Sequence, residues 1–430
     1  MEEHTLRRIS LEEIPAPEAR FSDPEVDAVA MRAIREIREG GERSLREWAV
    51  RYDGLEENAP LVLSRDAMKK AWDGLVPAQA ELLERAAGRI AAFASAQLGC
   101  LAPLAAAVPG GRAGHEFVPA ARAGCYVPGG AFPLPSSALM TIIPAKVAGV
   151  PEVWAAGPRP SAVTLAAAWR AGADGFLQCG GAHAIAALAF GIAVPPCDVV
   201  TGPGGKFVAS AKRLLFGLIG TEAPAGPSEL LIIGDDSADP AIMAADLLAQ
   251  AEHSPDAVPC LIASSEALAS AVEREIEAQL EALPEPNRSI ARRSLANGWC
   301  CIEAHFERQV SAADRFAPEH LELAVSDPEP YRKAVRNAGA VFAGMGAAEV
   351  FGDYGAGPNH TLPTGGAARF AGGLSVLQYL KVRTWLSVDD PVLLAADTAA
   401  FARLEGLEAH ARAAELRCRP VSPSSTYQKP

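Results

Sequence analysis

The sequence has no run of about 18 uncharged apolar residues, the length a helix needs to cross a bilayer, so no membrane span is expected. Its first residues, MEEHTLRRISLEEIPAPEAR, lack the apolar core of a secretory signal, and none is expected there. Basic clusters are missing too. The 39 Lys and Arg stand against 52 Asp and Glu, a net charge of −13, which argues against nucleic acid as a partner because phosphate binding needs concentrated cations. The eight cysteines are scattered without CxxC spacing, so they read as reduced thiols of a cytoplasmic protein, not as a disulfide frame. No repeat of fixed period is present, and no low-complexity tract beyond a general richness in alanine. Histidine is also scarce, at eight residues.

What is present is the composition of a compact globular chain: 49% hydrophobic and 21% charged over 430 residues. At roughly 100–200 residues per domain, that length predicts two to three domains. Residues 24 to about 100 read as helical, since Val26, Val29, Ala30, Ile34 and Ile37 recur at helical spacing and Leu45, Trp48 and Ala49 continue it up to an Asp53-Gly54 break. A second long helix is expected over 78–96, and Gly110-Gly111 closes this opening segment. From Ala123 onward, short apolar runs alternate with alanine-rich helical stretches. Residues 153–156, 175–179, 198–201, 230–233 and 259–263 read as buried strands, with further strands at 300–303 and 339–342. Helices are expected over 162–171, 182–190 and 240–253, and one long helix over 398–417. Such alternation implies parallel sheets covered on both faces. The polar tail 421–430 is expected to fray.

Three glycine-rich loops invite a nucleotide reading: Tyr126-Val-Pro-Gly-Gly130, Gly180-Gly-Ala-His183 and Gly202-Pro-Gly-Gly-Lys206. None is a G-x-G-x-x-G, and Phe207 stands where a Walker A loop needs Ser or Thr. Glycine also serves plain tight turns. The last two loops, however, each follow an expected strand and open a helix, where backbone N–H groups can face an anion.

Gln250 and His253 are three apart on a well-signalled helix and so share a face suited to one metal. Glu319-His320 offers a general base and a proton shuttle. The segment 352–364 places Asp353, Asn359 and His360 in a glycine-rich loop, the kind of loop that carries sites. Glu405 and His410 fall on the last expected helix, about 140° apart if it is regular. Singly, each of these also reads as a surface or turn feature. Together, Gln250, His253, Asp353 and His410 supply mixed N/O donors that suit zinc.

These motifs, with 180–191, 225–229 and 317–321 in order, resemble the histidinol dehydrogenase family from about residue 25 to 417. The resemblance implies oxidation of L-histidinol to L-histidine through an aldehyde, with two NAD and one zinc per site, as the final steps of histidine biosynthesis. It also implies zinc ligation by Gln250, His253, Asp353 and His410, the last reaching over from the other subunit of an intertwined homodimer. By the same resemblance His320 takes the alcohol proton and Glu319 activates water. Ser228, Glu349, His360 and Glu405 hold the substrate beside the zinc ligands and His320. Tyr126, His183 and Gly205 match cofactor-contacting positions, but His183 stands where the family has Gln and Gly205 where it has Asn. Each lost amide removes about 1 kcal/mol per hydrogen bond. A base with a pKa near 7 suits both alkoxide formation and the second oxidation.

The implied fold is α/β: two Rossmann-like three-layer α/β/α domains of aldehyde-dehydrogenase-like architecture, with a small helical C-terminal dimerisation segment. Residues 1–125 and 230–370 are expected to form the first domain, with metal and acid–base residues. Residues 126–229 form an inserted cofactor-side domain, and 371–430 a helical segment reaching the partner subunit. The departures at His183 and Gly205 keep a paralogue acting on another polar diol, such as a sulfopropanediol, open as an alternative. A zinc hydrolase using Glu319 and a catalytically inactive binding protein are weaker alternatives.

Overall fold

The computed structural model describes residues 5–15, 23–129, 133–223 and 226–418; Gly130, Ala225 and the tail 421–430 lie outside them. A short strand β1 (Arg7–Arg8) precedes α1 (Pro24–Trp48), β2 (Val62–Ser64), α2 (Arg65–Asp73) and α3 (Pro77–Gly99). A hairpin, β3 (Leu104–Val108) and β4 (Gly111–Pro119), leads into a strand–helix alternation. It comprises β5 (Arg122–Tyr126), α4 (Pro135–Val147), β6 (Glu152–Ala156), α5 (Ala162–Ala171), β7 (Gly175–Leu177), α6 (Gly181–Phe190), β8 (Val199–Thr201) and α7 (Lys206–Leu215). The next alternation begins with β9 (Glu229–Gly234), α8 (Pro240–Glu252), β10 (Val258–Ala263), α9 (Glu266–Ala282), α10 (Asn287–Leu295) and β11 (Trp299–Ile302). It continues through α11 (Phe306–Phe316), β12 (His320–Ala324), α12 (Glu329–Ala334), β13 (Ala340–Ala343) and α13 (Glu349–Asp353). Strand β14 (Leu380–Val388) and helices α14 (Val392–Leu404) and α15 (Glu408–Glu415) follow.

Two compact units divide the chain, one from Met1–Leu98 and Ala120–Tyr379, the other from Gly99–Pro119 and Leu380–Pro430. The first unit holds two sheets. One is wholly parallel in the order β1-β11-β10-β9-β12-β13; the other runs β2-β7-β6-β5-β8, antiparallel only where β2 meets β7. In both, later strands add on one side of the first strand of the alternation, and the chain then reverses to its other side. The reversals fall between β9 and β12 and between β5 and β8, and switch points of this kind open crevices for ligands.

The apolar run of β9, ELLIIG, is buried throughout because helices cover both faces. Leu230 and Ile232 pack with Leu247, Ala251, Val272 and Ile276, whereas Leu231 and Ile233 face Trp299, Phe316 and Leu321. Each such side chain contributes roughly 1.5–3 kcal/mol by leaving water. In the second sheet the stripe Ala30, Ile34, Ile37, Leu45 and Trp48 of α1 packs on α6 and α7, and α2 packs on α5. Segment 24–73 therefore belongs with the second sheet, where the expected boundaries grouped 1–125 with the first. A one-turn π-helix, Ala49–Asp53, extends α1 and stops at Gly54 in the left-handed region, φ 67°.

The second unit corrects the expectation that 371–430 is helical. Residues Leu380–Val388 form a strand antiparallel to β4, which also pairs with β3. The signal was present: Leu380, Val382, Leu386 and Val388 alternate with Lys381, Arg383 and Ser387. The single helix expected over 398–417 is two helices, because Gly406 takes a φ of 74° that right-handed helix forbids. All eight cysteines are free thiols. Among the described residues no helix is long and apolar enough to cross a membrane.

Candidate active site

Helix α8 begins at Asp239, whose carboxylate accepts from Ala241 N–H at 2.9 Å, with Pro240 at the first helical position. It runs back along the first sheet, so its last turn carries Gln250 and His253 to the amino ends of β9 and β12. There Glu319 and His320 enter β12, beside Glu229 at the start of β9. Short α13 delivers Glu349 and Asp353, and His360 follows in the next loop. Gln250, His253, Glu319, His320, Glu349, Asp353 and His360 are thus brought together from segments more than 100 residues apart.

The contacts set protonation states. His320 Nδ1 lies 3.0 Å from the Glu229 carbonyl oxygen, which can only accept, so Nδ1 carries the proton and Nε2 keeps its lone pair. Burial lowers the His320 pKa to about 4, below the value near 7 that suits such a base, so the ring is neutral across physiological pH. Glu319 accepts from Glu229 N–H at 2.9 Å, yet burial raises its carboxyl well above the ordinary range, aided by the charges of Glu229 and Asp353. Glu349 is raised likewise, by burial first and then by Asp353, Glu322 and Glu319. The Gln250 amide N–H group donates to Glu349 at 2.9 and 3.2 Å, leaving its carbonyl oxygen for another partner.

His253 Nε2 stands 3.4 Å from Asp353 Oδ2. Asp353 raises the His253 pKa, while Asp353 itself, despite burial, is held low, first by the His253 contact. His360 Nδ1 donates to the Asp353 carbonyl at 3.1 Å, and its Nε2 lies 3.4 Å from Ser137 Oγ. Half-buried Ser228 precedes β9 and accepts from Val258 N–H through its carbonyl at 2.9 Å. Glu405 caps α14, and exposed His410 lies in α15; both belong to the second unit.

Sequence reasoning missed a second layer of acids. Glu322, in β12, accepts from Glu349 N–H at 2.7 Å, and burial together with Asp246 pushes its pKa up to about 8. An acid inside an apolar strand, and another four residues before Gln250, were the available signals. Among the described residues no group of three or more His, Cys, Asp or Glu side chains is disposed to hold a metal. Gln250 falls outside that class; it, His253 and Asp353 are the N/O donors gathered here.

The second sheet presents its switch point at the opposite, carboxyl, end. Tyr126 ends β5, and the turns after β7 and β8 open α6 and α7. Gly202 has φ 124° and approaches β5 so closely that a Cβ would lie 2.1 Å from the Tyr126 carbonyl oxygen, so only glycine fits. Gly202 N–H donates to Glu222 at 2.8 Å, and buried Lys212 pairs with Glu222 while donating to the Gly202 carbonyl at 2.8 Å. A cavity of about 280 Å³ opens by Val127, Gly129, Pro158, Arg159 and Phe176. Gly205 is exposed, and a Cβ added there would meet open space. His183 is 3% exposed, with Nε2 2.7 Å from Asp53 Oδ2 and its ring 5.5 Å from that of Trp48. A larger cavity, about 420 Å³, reaches Lys206, Arg213 and Glu229 but none of Gln250, His253, His320 or Asp353.

Comparison with known proteins gives this geometry a family. A model of the histidinol dehydrogenase family matches residues 17–418. A Thermus thermophilus protein named histidinol dehydrogenase is 44% identical over 402 residues, covering 92% of this chain and 95% of that one. Its Methylococcus capsulatus namesake is 43% identical over 393 residues, 89% of each chain. The crystal structure of histidinol dehydrogenase from Elizabethkingia anophelis superposes with a TM-score of 0.89 at 29% identity, covering 97% of this chain and 99% of that one.

Proposed function

The chain belongs to the histidinol dehydrogenase family, and from that membership we propose that it oxidises L-histidinol to L-histidine through the aldehyde, by two NAD-linked steps at a zinc site. The observation that carries the reading is the buried neutral His320 with a free Nε2, set beside Glu319 and the donors Gln250, His253 and Asp353. The sulfopropanediol alternative is not favoured, since relatives above 40% identity carry the histidinol name.

The three donors fit a zinc ion. Asp353 is held ionised, His253 exchanges its proton for a metal, and the Gln250 carbonyl oxygen is left over by the bond to Glu349. His410 of the partner subunit would supply the fourth donor, and the enzyme would then work as a homodimer. When bound, zinc supplies a Lewis acid and NAD the oxidant for both steps. In the first oxidation His320 Nε2 accepts the hydroxyl proton of the alcohol. In the second, Glu319 in its ionised form accepts a proton from the water that adds to the aldehyde; the raised pKa makes that carboxylate a stronger base than an ordinary one. Glu349, His360, Ser228 and Glu405 orient the substrate, and Tyr126 and Gly205 face the dinucleotide at the second sheet. The protein works in the cytoplasm, and the product enters histidine biosynthesis.

Incubating the purified protein with L-histidinol, NAD and zinc is expected to yield two NADH per histidine. A chelator is expected to abolish the rate and added zinc to restore it. No NADH at saturating levels of all three would refute the reading.

A further inference from the structure

The turn into α6 is held from the side by a segment 127 residues earlier in the chain. Asp53 closes the π-helical turn Ala49–Asp53, and its Oδ2 accepts from Gly180 N–H at 2.9 Å and pairs with His183 Nε2 at 2.7 Å. The next amide, Gly181 N–H, donates to the Tyr126 hydroxyl at 3.1 Å. The turn has no slack: a Cβ on Gly180 would lie 2.8 Å from Asp53 Oδ1 and 2.8 Å from Pro158 Cγ. Asp53, His183 and Tyr126 are all under 9% exposed, so these polar groups satisfy one another away from water.

Two consequences follow from the geometry. The N–H groups of Gly180 and Gly181 are already engaged by side chains, so this turn is not an open phosphate cradle. The His183 imidazole is committed to Asp53 beneath the turn, so it is not a free contact for a ligand in the crevice above.

We propose that Asp53 and His183 form a positioning pair for the dinucleotide, fixing the Gly180–Gly181 turn and, through Gly181 N–H, the Tyr126 hydroxyl at the mouth of the second sheet. His183 acts through Asp53 and not by touching the cofactor. The inference rests on the reading that this crevice takes NAD.

Equilibrium NADH binding by the full-length protein, followed by energy transfer from tryptophan, tests it independently of turnover. Asp53→Ala and His183→Ala are each expected to weaken NADH by about tenfold, the scale of one or two lost hydrogen bonds. The double variant is expected to be no weaker than the weaker single one, and the KM for L-histidinol to stay within about twofold in all three, since that site lies at the first sheet. Asp53→Asn keeps an oxygen acceptor and is expected to restore binding to within about threefold of wild type. Unchanged NADH affinity in the alanine variants would overturn the proposal, as would additive losses, which mean that His183 meets the cofactor on its own account. Should the alanine variants not fold, His183→Gln decides: unchanged or weaker binding supports the pair, and tighter binding overturns it. A wild-type protein that binds no NADH would overturn the functional reading and this inference together, whereas wild-type binding with insensitive variants removes this inference alone.

Discussion

The two sheets of the first unit share one winding pattern and use opposite ends of it. In the second sheet the residues at the switch point stand at the carboxyl ends of the strands, where the turns into α6 and α7 begin. In the first sheet, Glu229, Glu319 and His320 stand at the amino ends of β9 and β12, and the last turn of α8 returns Gln250 and His253 to them. Helix N-termini are a ready source of fixed partial positive charge for an anionic dinucleotide. At the first sheet the reverse holds: burial, not a fixed field, sets how readily its carboxyls and imidazoles take up charge. It lowers His320 to about 4 and raises Glu319 and Glu349.

The difference is open to attack from both sides. The largest effect is expected at the first sheet. His320→Asn keeps an amide donor for the Glu229 carbonyl but removes the Nε2 base, and kcat is expected to fall about 10²–10⁴-fold with zinc content unchanged. Steady-state kinetics with metal analysis decides, and an unaltered kcat would show that the base lies elsewhere.

Stability separates the sheets next. Lys212→Met leaves Glu222 buried without its cation and is expected to cost about 3–5 kcal/mol in urea unfolding. Glu319→Gln, which removes a carboxyl whose charged form burial disfavours and still accepts from Glu229 N–H, is expected to cost under about 1 kcal/mol. Equal losses would dissolve the contrast between a charge-paired and a neutral interior.

The pH dependence is a subtler measure of the same contrast. Glu322 is raised to about 8 by burial and Asp246, so the folded state binds a proton that the unfolded chain has released. Its contribution is present at acid pH and is lost as pH rises from the ordinary carboxyl range through about 8. Metal-free wild-type protein is therefore expected to lose stability over that range more steeply than Glu322→Gln; parallel curves would place the proton elsewhere.

The smallest effect is expected at Gly205, the N-cap of α7, whose φ of −63° and open surroundings admit a side chain. Gly205→Asn is expected to tighten NADH by about fivefold, one hydrogen bond of roughly 1 kcal/mol. No gain would mean that this cap does not face the cofactor.

Much of this was legible in the sequence. Helix Ala162–Ala171 lies where Ser161 and Gly172 bracket an apolar run, and β9 extends only one residue beyond each end of its expected span. Glu319-His320, Gln250, His253 and Asp353 stood out by residue type and spacing. The hairpin of β3 and β4 did not, because its alanines and glycines leave no alternation to read. Asp53 did not either: its partners lie 127 and 130 positions away, and nothing near it in the chain marks it as more than the end of a helix.

The sequence by itself determined the family and most of the local elements, since backbone hydrogen bonding and side-chain period are set by near neighbours. Only the tertiary structure decided which end of each sheet gathers which residues. It also decided that His320 is neutral with its proton on Nδ1 and that His183 turns inward to Asp53. These depend on burial and on which distant group supplies the hydrogen bond, and both exist only once the helices have closed over the sheets.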